Sequence, residues 1–310
     1  MIHTPMDVLT TFPVRKSGKQ KQAFRNAVET YVRDLGYETK VEKGSFGAKN
    51  LIIGNPANAK YLVTAHYDTC ARMIVPNLIT PCNLLFFALY QLFIAALILA
   101  VAIGVGVGAG VLTENPGLAG VVAYAAIWIL LGLMMFGQAN KHNANDNTSG
   151  VVTLLEIAGT LPENQRDKVC FVLFDLEEAG MIGSSSYRKK HKGETDGQII
   201  LNLDCVGDGN EIVFFPTKKL CKDEKKLRHL CICVGRFGEK TIAVKNKGFR
   251  IYPSDQTQFP YGVGIAAFRR KKWVGLYCAK IHTNKDTVLE QTNVNILRAA
   301  ITTLISSDVA

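Results

Sequence analysis

Between Met73 and Asn140 the chain carries no lysine or arginine and a single acid, Glu114. Two apolar runs fill this segment: residues 82–112 (CNLLFFALYQLFIAALILAVAIGVGVGAGVL) and 118–136 (LAGVVAYAAIWILLGLMMF). Each offers about 20 apolar residues, the number that crosses a ~30 Å hydrocarbon layer as a helix. Both are apolar on every side, whereas helices of soluble proteins keep a polar face. The segment therefore predicts two membrane spans rather than a pair of buried core helices. The intervening Thr113–Gly117, TENPG, is a turn signal. Gly104, Gly106, Gly108 and Gly110 read as the taper of the first span; small residues can also let two helices approach closely. Two spans make a hairpin, with Arg72 before it, Lys141 after it and only Glu114 in the connecting loop. The bias of positive charge puts both chain ends on the cytoplasmic side of the cell membrane.

The rest of the chain has a different character. Of the total net charge of +10, the apolar segment accounts for −1, leaving +11 on the remainder. A basic part beside a charge-free apolar part suggests a protein at a membrane surface. No basic motif interleaved with aromatics is present, which argues against nucleic acid as a partner. Hydrophobic residues make up 48 % and charged residues 20 %, enough for a packed core. None of the eight cysteines forms a CxxC pair; Cys70 and Cys82 flank the apolar segment, and Cys170 and Cys205 sit in runs that resemble core strands. The opening MIHTPMDVLTTFPVRKSGKQ lacks signal-peptide regions, so a reducing, cytosolic setting is expected for the soluble part.

Outside the hairpin, apolar strands alternate with helical patterns. Residues 19–36 place Phe24, Ala27, Val28, Tyr31, Val32 and Leu35 on one stripe, with Gly36 as the stop. Short strands are expected at Tyr37–Lys43 and Asn50–Gly54. Tyr61–His66, Lys168–Leu176 and Ile199–Asp204 read as interior strands. Helices follow at Val151–Leu161 and Gly183–His191, and at 218–237, where the lysines and arginines face solvent. Strands near Gly264–Phe268 and Val274–Ala279 and a closing helix at Val294–Ile305 complete the chain. Such alternation implies an α/β sheet with helices on both faces. Ligands of these sheets bind beyond the carboxyl ends of the strands.

At those ends, or in loops beside helix starts, stand His66 with Asp68, Asp146, Glu177 with Glu178, Asp204 and His282. Each alone reads as a cap, a solvated loop or a core histidine. Together, four separate segments offer imidazole and carboxylate, the donors that suit zinc. Two metals ~3.5–4 Å apart need one bridging carboxylate and further ligands on each, and the inventory is large enough for that with a carboxylate left over as a base. His3, His142, His191 and His229 are read as structural.

Six short words in this order, AHYDT at 65–69, NDNTSG at 145–150, FDLEEAGMIGS at 174–184, NLDCVGDG at 202–209, SDQTQF at 254–259 and IHTNKDT at 281–287, resemble the motifs of the zinc aminopeptidases of peptidase family twenty-eight. That family includes bacterial leucine aminopeptidase and has glutaminyl cyclase among its relatives. The resemblance spans about residues 50–310 without the hairpin. It implies a mixed, mainly parallel central sheet of the phosphorylase/hydrolase kind and two zinc ions per chain. His66 and Asp204 would bind one, Glu178 and His282 the other, and Asp146 would bridge them. Asp68 would orient and polarise the site, Glu177 would be the general base, and Asp286 would support His282. Gln256 and Ile281 depart from the family's usual His and Tyr, which puts substrate preference and rate in doubt.

The implied organisation is a discontinuous peptidase domain, 1–80 and 138–310, interrupted by a membrane hairpin at 81–137. The expected activity is that of a membrane-anchored di-zinc exopeptidase, foremost an aminopeptidase with a peptide substrate. The alternatives are a glutaminyl-cyclase-like aminoacyl transferase with one zinc, or a non-catalytic membrane adaptor that retains the fold. The bilayer is the expected partner, and the hairpin offers a surface for self-association.

Overall fold

A computed structural model describes residues 2–307. The sheet has ten strands: β1 Thr39–Lys43, β2 Lys49–Ile53, β3 Tyr61–His66, β4 Val169–Phe174, β5 Ile199–Leu203, β6 Glu211–Pro216, β7 Gly235–Phe237, β8 Lys240–Val244, β9 Gly262–Lys271 and β10 Gly275–Tyr277. Their spatial order is β1-β2-β4-β3-β5-β9-β6-β8-β7, with β10 paired to β9. The central four, β4, β3, β5 and β9, run parallel. Antiparallel pairs join β1 to β2 and β2 to β4 on one flank, and β6 to β9 and β7 to β8 on the other.

The central strands are apolar along their whole length because both faces are covered. Every residue of β3, β4 and β5 is buried. Alternate side chains point to opposite faces of a strand, and they divide accordingly. Tyr61, Val63, Val169, Phe171, Leu173, Ile199 and Leu201 join the larger core. Leu62, Cys170, Val172, Phe174 and Ile200 pack on the other face. The larger core is closed by the helices Gly18–Asp34, Ser149–Thr160 and Gln291–Ser306. Ser17 caps the first of these in a capping box with Gln20.

One expected helix needs correction. Residues 218–237 are not one helix. They form helices at Lys218–Lys222 and Glu224–Leu230, a 3-10 turn, and then β7. The break comes at Asp223, whose side chain accepts from the Lys226 amide and starts the second helix. β6 and β8 are strands in addition to those expected from the sequence.

Both apolar runs are helical, at Leu84–Leu112 and Pro116–Phe136, and both are long and apolar enough to cross a membrane. The residues in their most apolar windows are 11 % and 0 % buried, so these are not buried core helices. Asn83 and Asn115 cap their starts, and Pro116 occupies the first turn of the second. The glycines do not mark a taper. The first helix continues to Leu112, and a methyl on Gly106 would lie 2.8 Å from Ala123 Cβ, while one on Gly110 would lie 3.0 Å from Ala119 Cβ. Small residues on this face set the close approach of the two helices. Gly106→Leu is expected to destabilise the hairpin by about 1–3 kcal/mol through overpacking, read from detergent-denaturation curves of the purified protein. Gly108→Leu, at a position facing open space, should leave the curve unchanged.

Candidate metal and active site

Four strand ends or loops converge at the carboxyl end of the parallel strands. β3 ends on His66, and Asp68 follows it. Beyond β4 the chain turns into Glu177 and Glu178, and β5 runs directly into Asp204. Leu176, Cys205 and His282 all have left-handed backbone, with φ of 57°, 56° and 62°. Non-glycine residues rarely adopt this region. Here the first two lie next to site residues and the third is one, and each redirects the chain so that a side chain turns inward.

The centre is Asp146. Its Oδ1 lies 3.3 Å from His66 Nε2, and its Oδ2 lies 3.1 Å from His282 Nε2. His66 Nε2 is also 3.7 Å from Asp204 Oδ1, and His282 Nε2 is 3.4 Å from Glu178 Oε2. Two donor groups therefore share one carboxylate. In the group of His66, Asp146 and Asp204, the candidate ligand atoms lie within 4.8 Å of one another, and the same limit holds for Cys70, Glu178 and His282. Glu177 reaches the same space, within that distance of His66 and Glu178.

The loop carrying Asp146 is clamped on both sides. The Asn147 side chain donates to the carbonyls of His66 (3.3 Å) and Leu203 (2.9 Å), tying the loop to the ends of β3 and β5. Its Oδ1 accepts from the amides of Gly150 and Cys205. At Gly150 a side chain would collide with the Leu203 carbonyl and with Asn147 itself. Asn145 Oδ1 accepts from the amides of Gly207 and Asp208. Asp286 accepts from the amides of Asn145 (2.8 Å) and Asp146 (3.0 Å). Asp286 thus holds the loop of Asp146 and makes no hydrogen bond to His282, contrary to the expectation from sequence.

Asp68 performs two positioning tasks. Its oxygens accept from the amides of Glu177 (3.1 Å) and Glu178 (3.2 Å), and its Oδ1 is 3.6 Å from His66 Nδ1. Gln256 is buried and engaged with Asn202 and the Tyr252 carbonyl, and Ile281 is buried in a small apolar cluster. His191 and His229 are occupied elsewhere, by Glu42 and the Tyr61 hydroxyl.

Electrostatics at this centre are unbalanced. Burial lifts Glu177 and Glu178 well above the usual carboxylate range, with neighbouring carboxylates adding to the shift. Burial would also raise Asp146, but His282 and His66 outweigh it and hold its carboxyl below the usual range. The surrounding carboxylates raise both histidines against the opposing effect of burial. Glu178 Oε1 and His282 Nδ1 are buried without a hydrogen-bond partner. A crowd of acidic donors with unpaired atoms is stable only when positive charge is supplied. The donor set carries three carboxylates and two imidazoles, and Glu177 adds a fourth carboxylate. Two divalent cations would neutralise this cluster, so the residues fit a pair of metal ions.

Sequence reasoning missed three participants. Cys70 faces Glu178 and His282 but stands outside any recognisable metal pattern. Asp255 is fully buried and acts electrostatically on Glu177. Arg15 lies beneath the site, in an N-terminal stretch with no pattern to announce it. Its Nε donates to the Tyr67 carbonyl (2.6 Å), and its Nη1 donates to the Phe12 carbonyl (2.6 Å) and Thr148 Oγ1 (3.1 Å). Burial lowers its pKa to about 10, opposed by Asp68 and Asp146, so it stays charged at neutral pH. Arg15→Met should cost about 3 kcal/mol, because the Tyr67 and Phe12 carbonyls and the Thr148 hydroxyl lose a buried charged donor. At roughly 2.1 cal/mol/K of unfolding entropy per residue, a chain of 310 residues shifts by about 1.5 °C per kcal/mol, so the midpoint should fall by about 5 °C in a thermal melt followed by circular dichroism.

Residues 134–305 match Peptidase family M28, and the chain belongs to that family. Aminopeptidase YwaD of Bacillus subtilis is 41 % identical over 68 residues, which is 21 % of this chain and 15 % of YwaD. The chain thus spans only a small part of that curated relative. Among solved structures, a Zn-dependent exopeptidase from Parabacteroides distasonis superposes with a TM-score of 0.58 at 14 % identity, covering 95 % of this chain and 92 % of the other. The glutaminyl cyclase of Macrostomum lignano gives 0.57 at 13 % identity, covering 98 % and 88 %. At these identities the two structures share the fold with this chain.

Proposed function

We propose that this protein is a membrane-anchored di-zinc aminopeptidase whose active centre faces the cytoplasm. The observation that carries the reading is Asp146, whose two oxygens face two different histidines, each backed by a further carboxylate. His66 and Asp204 would hold one zinc, Glu178 and His282 the other, with Asp146 between them. Bound there, zinc supplies a Lewis acid that polarises the scissile carbonyl and lowers the pKa of water.

The chain's own residues do the rest. The Glu177 carboxylate accepts a proton from the attacking water and delivers it to the nitrogen of the departing amine. Glu177 lies within reach of both His66 and Glu178, so it faces the space between the two candidate metal positions. Asp68 fixes the amides of Glu177 and Glu178 and faces His66 Nδ1, keeping base and ligand in register. Glu177→Gln is expected to lower kcat by about 10²–10⁴-fold on amino-acid and dipeptide amides while retaining zinc. Full activity in that variant would refute the assignment.

The cyclase reading keeps one specific support, the comparable superposition on a glutaminyl cyclase. The complete set of donors at both positions supports two metals instead. Elemental analysis of the purified protein should therefore find two zinc ions per chain, with about one lost in His66→Ala. One zinc in the unaltered chain would favour the cyclase reading. No bound zinc together with no turnover would favour the adaptor.

The hairpin supports the membrane assignment, and the flanking Arg72 and Lys141 favour a cytoplasmic domain. Glu114→Cys, in the turn between the helices, should react with a membrane-impermeant maleimide added to the outside of intact cells. Labelling only from the cytoplasmic side would reverse the topology.

A further inference from the structure

The β9–β10 turn lies at the base of the apolar hairpin. The segment leading into the first apolar helix runs antiparallel to β10, with Ile79 paired to Cys278. At its end Asn83, the cap of that helix, donates through Nδ2 to the carbonyls of Val274 (3.1 Å) and Trp273 (3.4 Å). The tip of the turn is thus bonded to the residue at which the chain would enter the bilayer. Trp273 is 78 % exposed, with Lys272 Nζ 5.4 Å from its ring centre. Ile74, in the same lead-in segment, is fully exposed.

The cations here divide into two kinds. Arg269 is paired with Asp208, and Arg270 with Glu211. Lys271 and Lys272 make no ion pair among the described residues, and both are exposed. Lys16 Nζ, on the other side of the hairpin base, donates to the Met135 carbonyl in the last turn of the second helix (2.9 Å). Arg72 and Lys141 bracket the hairpin in sequence and are exposed. The base of the hairpin therefore carries a partial collar of cations together with one prominent indole. Trp favours the headgroup level of a bilayer, and Lys and Arg are drawn to anionic lipid.

We propose that the Lys271–Trp273 tip is a second membrane contact, an interfacial wedge that seats in anionic lipid headgroups beside the hairpin. The inference rests on the reading of the hairpin as membrane-spanning. Continuity with the hairpin base and the unpaired charge favour a lipid surface over a soluble acidic partner. Seating the wedge would also fix the tilt of the domain. The lead-in segment continues to the metal-site loop, where the Met73 amide donates to the His282 carbonyl (2.7 Å).

Trp128 and Trp273 are the chain's two tryptophans, so the test is direct. The full-length protein would be placed in lipid nanodiscs of phosphatidylcholine with or without phosphatidylglycerol, using lipids brominated near the headgroup or deep in the chain. In Trp128→Phe, emission from Trp273 should shift to the blue and be quenched by shallow bromines when phosphatidylglycerol is present. Lys271→Glu with Lys272→Glu should abolish both effects. Trp273→Phe leaves Trp128 in the second helix as the reporter of insertion. If Trp128 is quenched while Trp273 emits as a fully hydrated indole, the wedge is overturned and the hairpin reading stands. If Trp128 escapes quenching too, both fail. Quenching of Trp273 that ignores lipid charge and the lysine substitutions would overturn the anionic-headgroup assignment.

Discussion

The shared carboxylate of Asp146 is the constraint around which the site is built. A buried carboxylate is costly unless it is hydrogen-bonded and its charge balanced. Here the backbone amide of Asp146 is held by Asp286, its oxygens face two imidazoles, and Arg15 lies below. Around it, Glu177 and Glu178 crowd in and are pushed toward the protonated state. The pattern is frustrated within the protein alone, with one carboxylate held below the usual range and its neighbours raised above it. That is the expected signature of a site completed by cations.

Holding such a cluster together depends on backbone geometry as much as on side-chain type. The parallel strands deliver their ends to one edge, but a strand end alone does not aim a side chain. Left-handed turns at Leu176 and Cys205 bend the chain just past β4 and β5. These conformations store strain, and they persist only because surrounding bonds over-determine them. Asn147 supplies several of those bonds, reaching both β3 and β5 with one side chain. Two asparagines flanking the aspartate therefore have a mechanical role of their own: they fix the distance between the strand ends that carry the other candidate ligands.

This division explains what was legible in the sequence. Strands buried on both faces read as unbroken apolar runs, so polar residues at their ends stood out. His66, Asp204 and the Glu177–Glu178 pair were visible for that reason. Arg15 was not, because a single arginine in an irregular segment has no periodicity and owes its burial to contacts made far along the chain. Cys70 sat where a cysteine would ordinarily pass as a small apolar residue. Asp286 was noticed, but its proximity in sequence to His282 suggested the wrong client, since its carboxylate turns toward the amides of the Asn145–Asp146 loop. The glycines of the first apolar helix permitted two readings, and only the packing against Ala119 and Ala123 decided between them. β8 escaped because KTIAV is partly polar and only half buried, whereas β6 carries the apolar run Ile212–Phe215, buried like the central strands.

The hairpin interrupts the chain between two candidate ligands, His66 and Asp146, yet the site on either side of it is intact. The reason lies in where the insertion begins and ends. Ala71 pairs with Ala139, and the Arg72 amide donates to the Gln138 carbonyl, so the departing and returning strands meet before the helices start. An insertion whose ends are adjacent costs the host little, because loop-closure entropy grows only slowly with length. The same seam continues past the metal-site loop, through Met73 to the carbonyl of His282 and through Asn77 to that of Ile281. The segment that relieves the fold of the hairpin's length therefore also ties its base to the loop of His282. A hairpin joined in this way is fixed relative to the candidate site through backbone bonds, not through a flexible tether.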